Sequence, residues 1–230
     1  MDVTDARAMV IAIDGPSGAG KGTVSRTVAE RLGYRHVDTG AMYRAVAWLA
    51  AHRGIDLGDP GSVAALAESA EFDLSDAIRI DGHDVTGAIR TPAIDRAAAV
   101  VAQHPAVRTV LVERQRQYGR EGGVVMEGRD IGSVVFPSAD VKVYLDASPD
   151  ERARRRARDA AHAAGRDQAG LAAVAAALEA RDRTDRTRTV SPLTLAPGAV
   201  YVDTTALDIT EVVGRVMAVV AAARATRSAR

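Results

Sequence analysis

A glycine-rich run near the start of the chain limits the possible folds more than any other feature. Closely spaced glycines allow successive backbone N–H groups to turn inward around an anion, and a lysine among them can reach the outer phosphates. The strict pattern places Ser or Thr directly after this lysine, whereas Gly22 stands there and Thr23 follows. The run therefore predicts a loop that binds a polyphosphate. The residues expected to contact it are Gly15, Pro16, Ser17, Gly18, Ala19, Gly20, Lys21, Gly22 and Thr23.

The segments on either side of this loop have the periodicity that the loop requires. Residues 9–13 form a short apolar run with β-branched side chains, and residues 23–32 carry apolar side chains at helical spacing. Further apolar runs typical of buried parallel strands lie at 35–37, 123–126, 141–145 and 199–202. Helix-like segments lie at about 41–53, 92–118, 149–164, 168–183 and 208–223. This alternation predicts a layered α/β fold with a five-stranded parallel sheet.

The part of the chain between the second and third predicted strands departs from this alternation. Residues 72–91 contain short β-like runs separated by glycines, which suggests small strands and turns inserted on the sheet. This segment, residues 72–91, could contact a substrate or another protein. Residues 1–8 and 224–230 have the composition of flexible ends, which leaves 9–223 as a single domain.

Composition excludes several classes of function. Thirty acidic and thirty basic residues give zero net charge, so we expect no nucleic-acid partner. The absence of cysteine excludes disulfides and thiol catalysis, and five scattered histidines make a histidine metal cage improbable. The apolar run at 9–13 is far too short to span a bilayer. We therefore expect a cytoplasmic protein with no membrane partner.

Two segments at predicted strand ends carry charged residues beside glycines. Residues 38–44 close the second strand and open a helix, where backbone amides and Arg44 can hold an anion. The alternative is that Asp38 caps the helix and Arg44 is an ordinary surface arginine. Residues 127–132, Glu-Gly-Arg-Asp-Ile-Gly, lie where parallel sheets bind ligands, although a structural ion pair is possible there too.

The segment 151–188 holds ten arginines and six acids. In a helix Arg152 and Arg156 share one face, as do Arg154 and Arg158. Such a run is usually a solvated helix face. After the fourth strand of a protein with a phosphate loop, it instead predicts a mobile lid that closes over transferring phosphates.

Together these segments resemble the bacterial cytidylate kinases, from about residue 9 to residue 220 and in that family's order. Members of the family are similar in carrying Gly-Lys-Gly-Thr at the loop. The resemblance implies a three-layer α/β fold of the P-loop NTPase type, with a monophosphate-binding insertion at about 41–118 and an arginine-rich lid at about 151–188. The motifs that carry it are 15–23, 38–44, 127–132, 134–137 and 181–188.

The same resemblance implies a monomer that transfers the γ-phosphoryl group of ATP to CMP or dCMP, with Mg²⁺ and in line. For catalysis it implies Lys21, Arg152, Arg156 and Arg158, and it makes Thr23 the protein contact of Mg²⁺. The acceptor is already an anionic phosphate oxygen, so no general base is needed.

Further residues are implied to bind the acceptor. Arg44, Arg129 and Arg188 would hold the phosphate of CMP. Arg108 and Asp130 would read the base, because a carboxylate accepts from the N4 amine of cytosine while an arginine donates to N3 and O2. Ala99 lies near a position where the family has serine. The whole implied set is Asp38, Thr39, Arg44, Arg108, Arg129, Asp130, Arg181, Asp185 and Arg188, with Arg181 and Asp185 at the ribose.

Other functions remain compatible with the loop alone. A kinase that phosphorylates a small-molecule hydroxyl, such as a shikimate or gluconate kinase, would need a carboxylate like Asp38 to activate the hydroxyl. Another nucleoside monophosphate kinase is a closer alternative. A nucleotide sensor without turnover is a further one, whereas the absence of asparagine excludes the Asn-Lys-x-Asp guanine signature.

Overall fold

The computed structural model describes residues 8–158 and 168–229. Five strands form one sheet in the order β2-β6-β1-β7-β8, and each ladder between neighbours is parallel. The predicted five-stranded parallel sheet is therefore confirmed. Numbered along the chain, the strands are β1 Val10–Asp14, β2 Arg35–Asp38, β3 Phe72–Asp73, β4 Arg79–Ile80, β5 His83–Asp84, β6 Val124–Gly128, β7 Val141–Asp146 and β8 Val200–Asp203.

Helices connect these strands. In chain order they are α1 Lys21–Leu32, α2 Thr39–His52, α3 Pro60–Ser69, α4 Pro92–Val101, α5 Pro105–Gly119, α6 Pro149–Arg158, α7 Gln168–Thr187 and α8 Ile209–Ser228. A π-helical turn, Ile131–Val135, follows β6. The predicted helix over 149–164 is described as far as Arg158, and 159–164 lie outside the described residues.

The predicted helices differ from the structure in four places. Helix α7 ends at Thr187, four residues beyond the expected end at 183. The helix expected over 92–118 is two helices, because His104 has an extended backbone and Pro105, which has no N–H, begins α5. Helix α3 was not predicted, although Asp59 caps it and Val63 and Leu66 are buried at helical spacing. Helix α8 ends at Ser228, five residues beyond the expected end at 223.

Helices cover both faces of the sheet, which makes three layers. Ile11 and Ile13 of β1 pack with Val24 of α1 and Val216 of α8 on one face. Ala12, between them, belongs to the cluster on the opposite face, which also holds Val112 of α5. Successive residues of a strand point to opposite faces, so one continuous apolar run fills both cores.

Residues between β2 and β6 build a second core beside the sheet. The short strands predicted within 72–91 are present as an antiparallel sheet in the order β3-β4-β5. Helices α2 to α5 pack around a core in which Met42, Leu49, Ile80 and Leu111 are fully buried. We call this unit, residues 39–119, the insertion.

The first glycine of the loop is required by the close approach of β7. Gly15 has φ of +145°, and a Cβ there would lie 1.9 Å from the carbonyl oxygen of Leu145. Gly54 also has a positive φ, +67°, but no described heavy atom beyond its chain neighbours lies within 4 Å of its Cβ position. A substitution at Gly54 therefore introduces backbone strain alone, whereas one at Gly15 adds steric overlap with Leu145.

We predict that Gly54→Ala lowers the free energy of unfolding by about 1 kcal/mol, the cost of a left-handed alanine. Gly15→Ala should cost about 3 kcal/mol, because the overlap with Leu145 adds to that strain. Urea unfolding followed by circular dichroism measures both. Equal losses in the two variants would contradict the role assigned to Leu145.

Candidate active site

The site is a cleft of about 780 Å³ at the carboxyl ends of β1, β2 and β6. Parallel sheets place ligands at this edge because the strand ends and the helix N-termini that follow them converge there. Gly15, Pro16 and Arg152 do not line the cleft, whereas the other predicted site residues do. These are Ser17, Gly18, Ala19, Gly20, Lys21, Gly22, Thr23, Asp38, Thr39, Arg44, Arg108, Arg129, Asp130, Arg156, Arg158, Arg181, Asp185 and Arg188.

The glycine loop leads directly into α1. Gly20, with φ of +89°, precedes Lys21, and no side chain caps the helix, so its first N–H groups are open to the cleft. The Lys21 ammonium donates to the carbonyl of Pro16 at 2.7 Å. Burial, together with the charge of Arg129, lowers the pKa of Lys21 to about 7. The loop thus offers backbone donors and a lysine whose charge a bound anion would restore.

The residue that departs from the strict motif lies close to a carboxylate. A Cβ at Gly22 would lie 3.3 Å from Oε1 of Glu127 and 3.8 Å from Oε2, a tight contact that a shift of Glu127 would have to relieve. Glu127 is buried at the end of β6, and its Oε1 lies 3.0 Å from Nε2 of His36. A residue without a side chain at position 22 therefore allows β6 to bring a carboxylate against the loop.

The segment 38–44 combines a helix cap with an arginine that lines the cleft. Asp38 caps α2 by accepting from the N–H of Ala41 at 3.0 Å, and its other oxygen accepts from Nη2 of Arg44 at 2.7 Å. Burial is the largest influence and would raise the pKa of Asp38, but the charge of Arg44 and the hydrogen bond from Ala41, with weaker contributions from His36 and Arg90, together lower the pKa. Asp38 is thus an ionised cap that holds Arg44 in the cleft.

A buried ion pair lies at the insertion end of the cleft. The guanidinium of Arg108 is 2% exposed; it pairs with Asp130 and lies over the ring of Tyr43 at 5.5 Å. Nη2 of Arg188 is 3.8 Å from the other oxygen of Asp130. Thr39 donates its hydroxyl to the carbonyl of Glu127 at 2.7 Å. The structure therefore brings Arg108 and Asp130, the pair predicted to read the base, into direct contact, with Arg188 beside them.

Several buried donors in this part of the cleft make no hydrogen bond to any described residue. They are Nε of Arg44, Nε of Arg108 and Nη2 of Arg188. Buried polar atoms are rarely left without a partner, because each loses its hydrogen bonds to water. The cleft-lining arginines are therefore not fully paired among the described residues.

Arg129, Arg181 and Arg188 surround a second carboxylate. Nε of Arg129 donates to Asp185 at 3.0 Å, and Nη1 of Arg188 lies 3.5 Å from the same carboxyl group. Burial would raise the pKa of Asp185, but the charges of Arg129 and Arg181 outweigh it and lower that pKa. Burial and the charge of Arg129 lower the pKa of Arg181 to about 10. The cleft therefore carries a strong positive field even with these carboxylates in place.

Arg152 lies outside the cleft, contrary to the expectation that it reaches the transferring phosphates. It is 6% exposed, pairs with Asp182, and donates to the carbonyls of Ser17 and Ala147 at 3.1 Å each. Helical spacing gave Arg152 and Arg156 a common face, but it could not show that α7 supplies Asp182 to one of them. A catalytic role for Arg152 would require it to leave these partners.

The remaining lid arginines divide between the cleft and solvent. Arg156 pairs with Asp95 of the insertion, and Arg158 lines the cleft at the described end of α6. Arg154 is 53% exposed and pairs with Glu151 along the helix surface. Residues 159–167 of the predicted lid lie outside the described residues.

Some cleft residues escaped the sequence analysis. Arg155 donates to the hydroxyl of Thr204 at 2.9 Å and to its carbonyl at 2.7 Å, which ties α6 to the loop after β8. That loop and the start of α8 line the far end of the cleft through Leu207 and Val212. Their position after the fifth predicted strand was a usable signal, but their side chains carry no motif.

Asp14 is a second missed residue, and it acts behind the cleft. It ends β1 and accepts from the N–H groups of Ile131 and Gly132 at 2.8 Å each. Burial raises its pKa to about 6 although these two hydrogen bonds favour the ionised form. Asp14 therefore anchors the backbone directly after Asp130 to the strand that carries the glycine loop.

Comparison with protein families gives a decisive match. A family model described as cytidylate kinase matches residues 11–222, nearly the whole chain. The chain belongs to the cytidylate kinase family. It is 47% identical over 218 residues to a cytidylate kinase of Solibacter usitatus, covering 94% of each chain, and 48% identical over 211 residues to one of Desulfitobacterium hafniense, covering 90% of each.

Two further matches are a fused protein and a more distant solved structure. The chain is 48% identical over 213 residues to a bifunctional pantoate ligase/cytidylate kinase of Synechococcus sp. strain WH7803, covering 90% of the chain but 43% of that protein. Among solved structures, a gluconokinase of Sinorhizobium meliloti matches with a TM-score of 0.49 and 17% identity, over 96% of this chain and 94% of that one.

Membership of the family decides between the classes of function that the sequence left open. The cytidylate kinases are phosphotransferases that phosphorylate CMP, so this chain is a kinase whose acceptor is a phosphate group. ATP is the phosphoryl donor. Among the described residues no helix is long and apolar enough to cross a membrane.

The depressed pKa of Lys21 predicts that ATP binding is coupled to proton uptake. Near pH 8 the lysine of the free enzyme should be mostly neutral, and the bound phosphates should charge it. ATP affinity should therefore fall as the pH rises above about 7. Calorimetric titrations at pH 8, in two buffers with different ionisation enthalpies, should report uptake of close to one proton.

The matched control is Lys21→Arg, because arginine remains protonated over this pH range. It should abolish the uptake even where it weakens binding. Equal binding enthalpies of the wild-type enzyme in the two buffers would contradict the assignment of this proton to Lys21.

Proposed function

We propose that the cleft transfers the γ-phosphoryl group of ATP in line to the phosphate of CMP or dCMP, which yields CDP or dCDP. The observation that carries the proposal is the group of three cleft-lining arginines Arg44, Arg129 and Arg188. A phosphate acceptor supplies anionic oxygens that these guanidinium groups can bind. A hydroxyl acceptor would need an available carboxylate, and Asp38 already holds Ala41 and Arg44.

The donor half of the cleft suits the ATP phosphates. The N–H groups of the loop and of the first turn of α1 would bind β- and γ-oxygens, and Lys21 would bridge them. Arg156 and Arg158 line the same cleft and would neutralise charge as it spreads over the transferring group. The attacking phosphate oxygen needs no base, so the enzyme acts by positioning and charge stabilisation.

The acceptor half suits a cytidine nucleotide. The carboxylate of Asp130 would accept from the N4 amine of cytosine, and Arg108 would donate to its N3 or O2. Uracil has a carbonyl oxygen where cytosine has its N4 amine, and that oxygen would be repelled by the carboxylate. Arg44, Arg129 and Arg188 would hold the phosphate. Arg181 and Asp185 would contact the ribose, with Asp38 and Thr39 lining the same half.

The donor set is compatible with Mg²⁺ held mainly by water and nucleotide oxygens. The hydroxyl of Thr23 lines the cleft beside the glycine loop, and among the described residues no group of three or more His, Asp or Glu side chains could form a metal site. Mg²⁺ commonly keeps several waters and takes one or two protein ligands. When bound, the ion would supply charge neutralisation between the β- and γ-phosphates.

A substrate panel tests the function as a whole. ADP release should be measured by a coupled assay with CMP, dCMP, UMP, AMP and shikimate as acceptors. We expect turnover with CMP and dCMP to exceed turnover with UMP and AMP, and no turnover with shikimate. ADP formation with CMP and dCMP no higher than without acceptor would overturn the proposal.

Base recognition predicts a specific effect of Asp130→Asn. The amide has nearly the shape of the carboxylate but has no charge and only one acceptor oxygen, and its NH₂ group can donate to O4 of uracil. The ratio of kcat/KM for CMP to that for UMP should therefore fall about tenfold or more. Asp73→Asn is the matched control, since Asp73 pairs with Arg79 on the exposed side of the insertion. An unchanged ratio in Asp130→Asn would remove this residue from base recognition.

A further inference from the structure

Asp95 forms an ion pair with each of two arginines across the cleft. It lies in the first turn of α4, which Thr91 caps by accepting from Ile94 at 3.3 Å. One carboxylate oxygen pairs with Arg156 of α6, and the other lies 3.5 Å from Nη1 of Arg181 of α7. Among the described residues, each oxygen of this carboxylate thus contacts an arginine.

These two ion pairs of Asp95 are largely shielded from water. The side chain of Asp95 is 15% exposed, and those of both arginines are 21% exposed, so water screens the attraction less than at an open surface. Arg129 lies close enough to Arg181 to help lower its pKa. Without a carboxylate between them, Arg156 and Arg181 would repel each other and Arg129, and their long side chains would turn toward solvent.

The position of Asp95 in the fold connects the two halves of the site. Helix α4 belongs to the insertion, since Ala98 and Val101 are buried in its core. Helices α6 and α7 are joined to each other by Arg152 and Asp182, and Arg152 also donates to Ser17 of the glycine loop. Asp95 therefore links the unit that holds the acceptor to helices anchored on the donor loop.

We propose that Asp95 is a positioning residue that holds Arg156 and Arg181 over the cleft and thereby couples binding of the two nucleotides. The inference rests on the proposed function, because it assigns the donor to the loop and the acceptor to the insertion. Acceptor binding fixes the insertion and Arg181, and through Asp95 it also fixes Arg156, which meets the donor. Donor binding has the reciprocal effect on the acceptor, because coupling of two binding equilibria is symmetrical.

Binding measurements separate coupling from chemistry. The Kd of a non-hydrolysable ATP analogue with Mg²⁺ should be measured by calorimetry, with and without saturating CMP, for the wild-type enzyme and Asp95→Asn. We expect CMP to tighten analogue binding about fivefold or more in the wild type. In Asp95→Asn the ratio of the analogue Kd without CMP to that with CMP should fall to within about twofold of one. Saturation with CMP is established separately for each variant, because a displaced Arg181 should also weaken CMP binding.

Steady-state kinetics provides a second readout. Misplacement of the two arginines should lower kcat by about tenfold or more. Asp95→Glu keeps a carboxylate on a longer arm and should recover part of both the coupling and kcat. This variant also keeps the test decisive if the asparagine variant proves unstable in thermal unfolding.

Glu179→Gln is the matched control. Glu179 pairs with Arg183 on the outer surface of α7 at 3.1 Å, with both side chains at least 70% exposed. Loss of this lid carboxylate should leave the coupling ratio and kcat unchanged. A similar fall in this variant would show that lid charge in general, and not Asp95, sets the coupling.

Two results would overturn the proposal. An unchanged coupling ratio in Asp95→Asn would show that the ion pairs do not connect the two halves. Tighter analogue binding or a higher kcat in that variant would show that the carboxylate competes with a phosphate for the arginines. The coupling ratio needs no turnover, so a failure of the proposed reaction with CMP would be seen separately in the wild-type assay.

Discussion

Charge balance among buried arginines is the constraint on which the rest of the cleft depends. A site that binds two phosphorylated nucleotides needs many positive charges in a small volume, yet those charges repel one another before a ligand arrives. The structure places an aspartate against each group of arginines: Asp38 with Arg44, Asp130 with Arg108, Asp185 with Arg129 and Arg188, Asp182 with Arg152, and Asp95 with Arg156 and Arg181. Among the described residues these carboxylates still leave some guanidinium donors without hydrogen bonds.

The central strands of the sheet position the donor loop and the acceptor residues relative to each other. Strand β1 carries the glycine loop at its carboxyl end and, through Asp14, also holds the backbone that follows Asp130. Strand β6 brings Glu127 against Gly22 and leads directly into Arg129 and Asp130. The donor loop and the acceptor residues are therefore attached to neighbouring central strands, which keeps their separation constant while α6 and α7 add arginines from outside the sheet.

Local sequence patterns predicted the elements of this site better than the contacts between them. The five sheet strands follow from continuous apolar runs, and the loop follows from glycine spacing, because both signals lie within a few residues. Pro105 and the helix cap Asp59 are also local signals, so the helix break at 104–105 and helix α3 were predictable from the sequence.

Long-range pairing could not be predicted in this way. Arg152 pairs with Asp182, and Arg156 pairs with Asp95. Nothing in the sequence distinguishes these two arginines from Arg154 and Arg158. Likewise Asp14 precedes the loop without matching any motif, and only the fold shows that it reaches Ile131. Which arginine meets which aspartate depends on helices that are far apart in the chain.

The chemical identity of the product gives the most direct test of a site built to hold a phosphate acceptor. Phosphorus NMR of a reaction of the enzyme with ATP, Mg²⁺ and CMP should show the loss of the CMP monoester signal. Two coupled diphosphate signals of CDP should replace it, because the new bond joins two phosphates. A new monoester signal, from phosphorylation of a ribose hydroxyl, or an unchanged CMP signal beside inorganic phosphate, would contradict the arginine cluster as an acceptor-phosphate site.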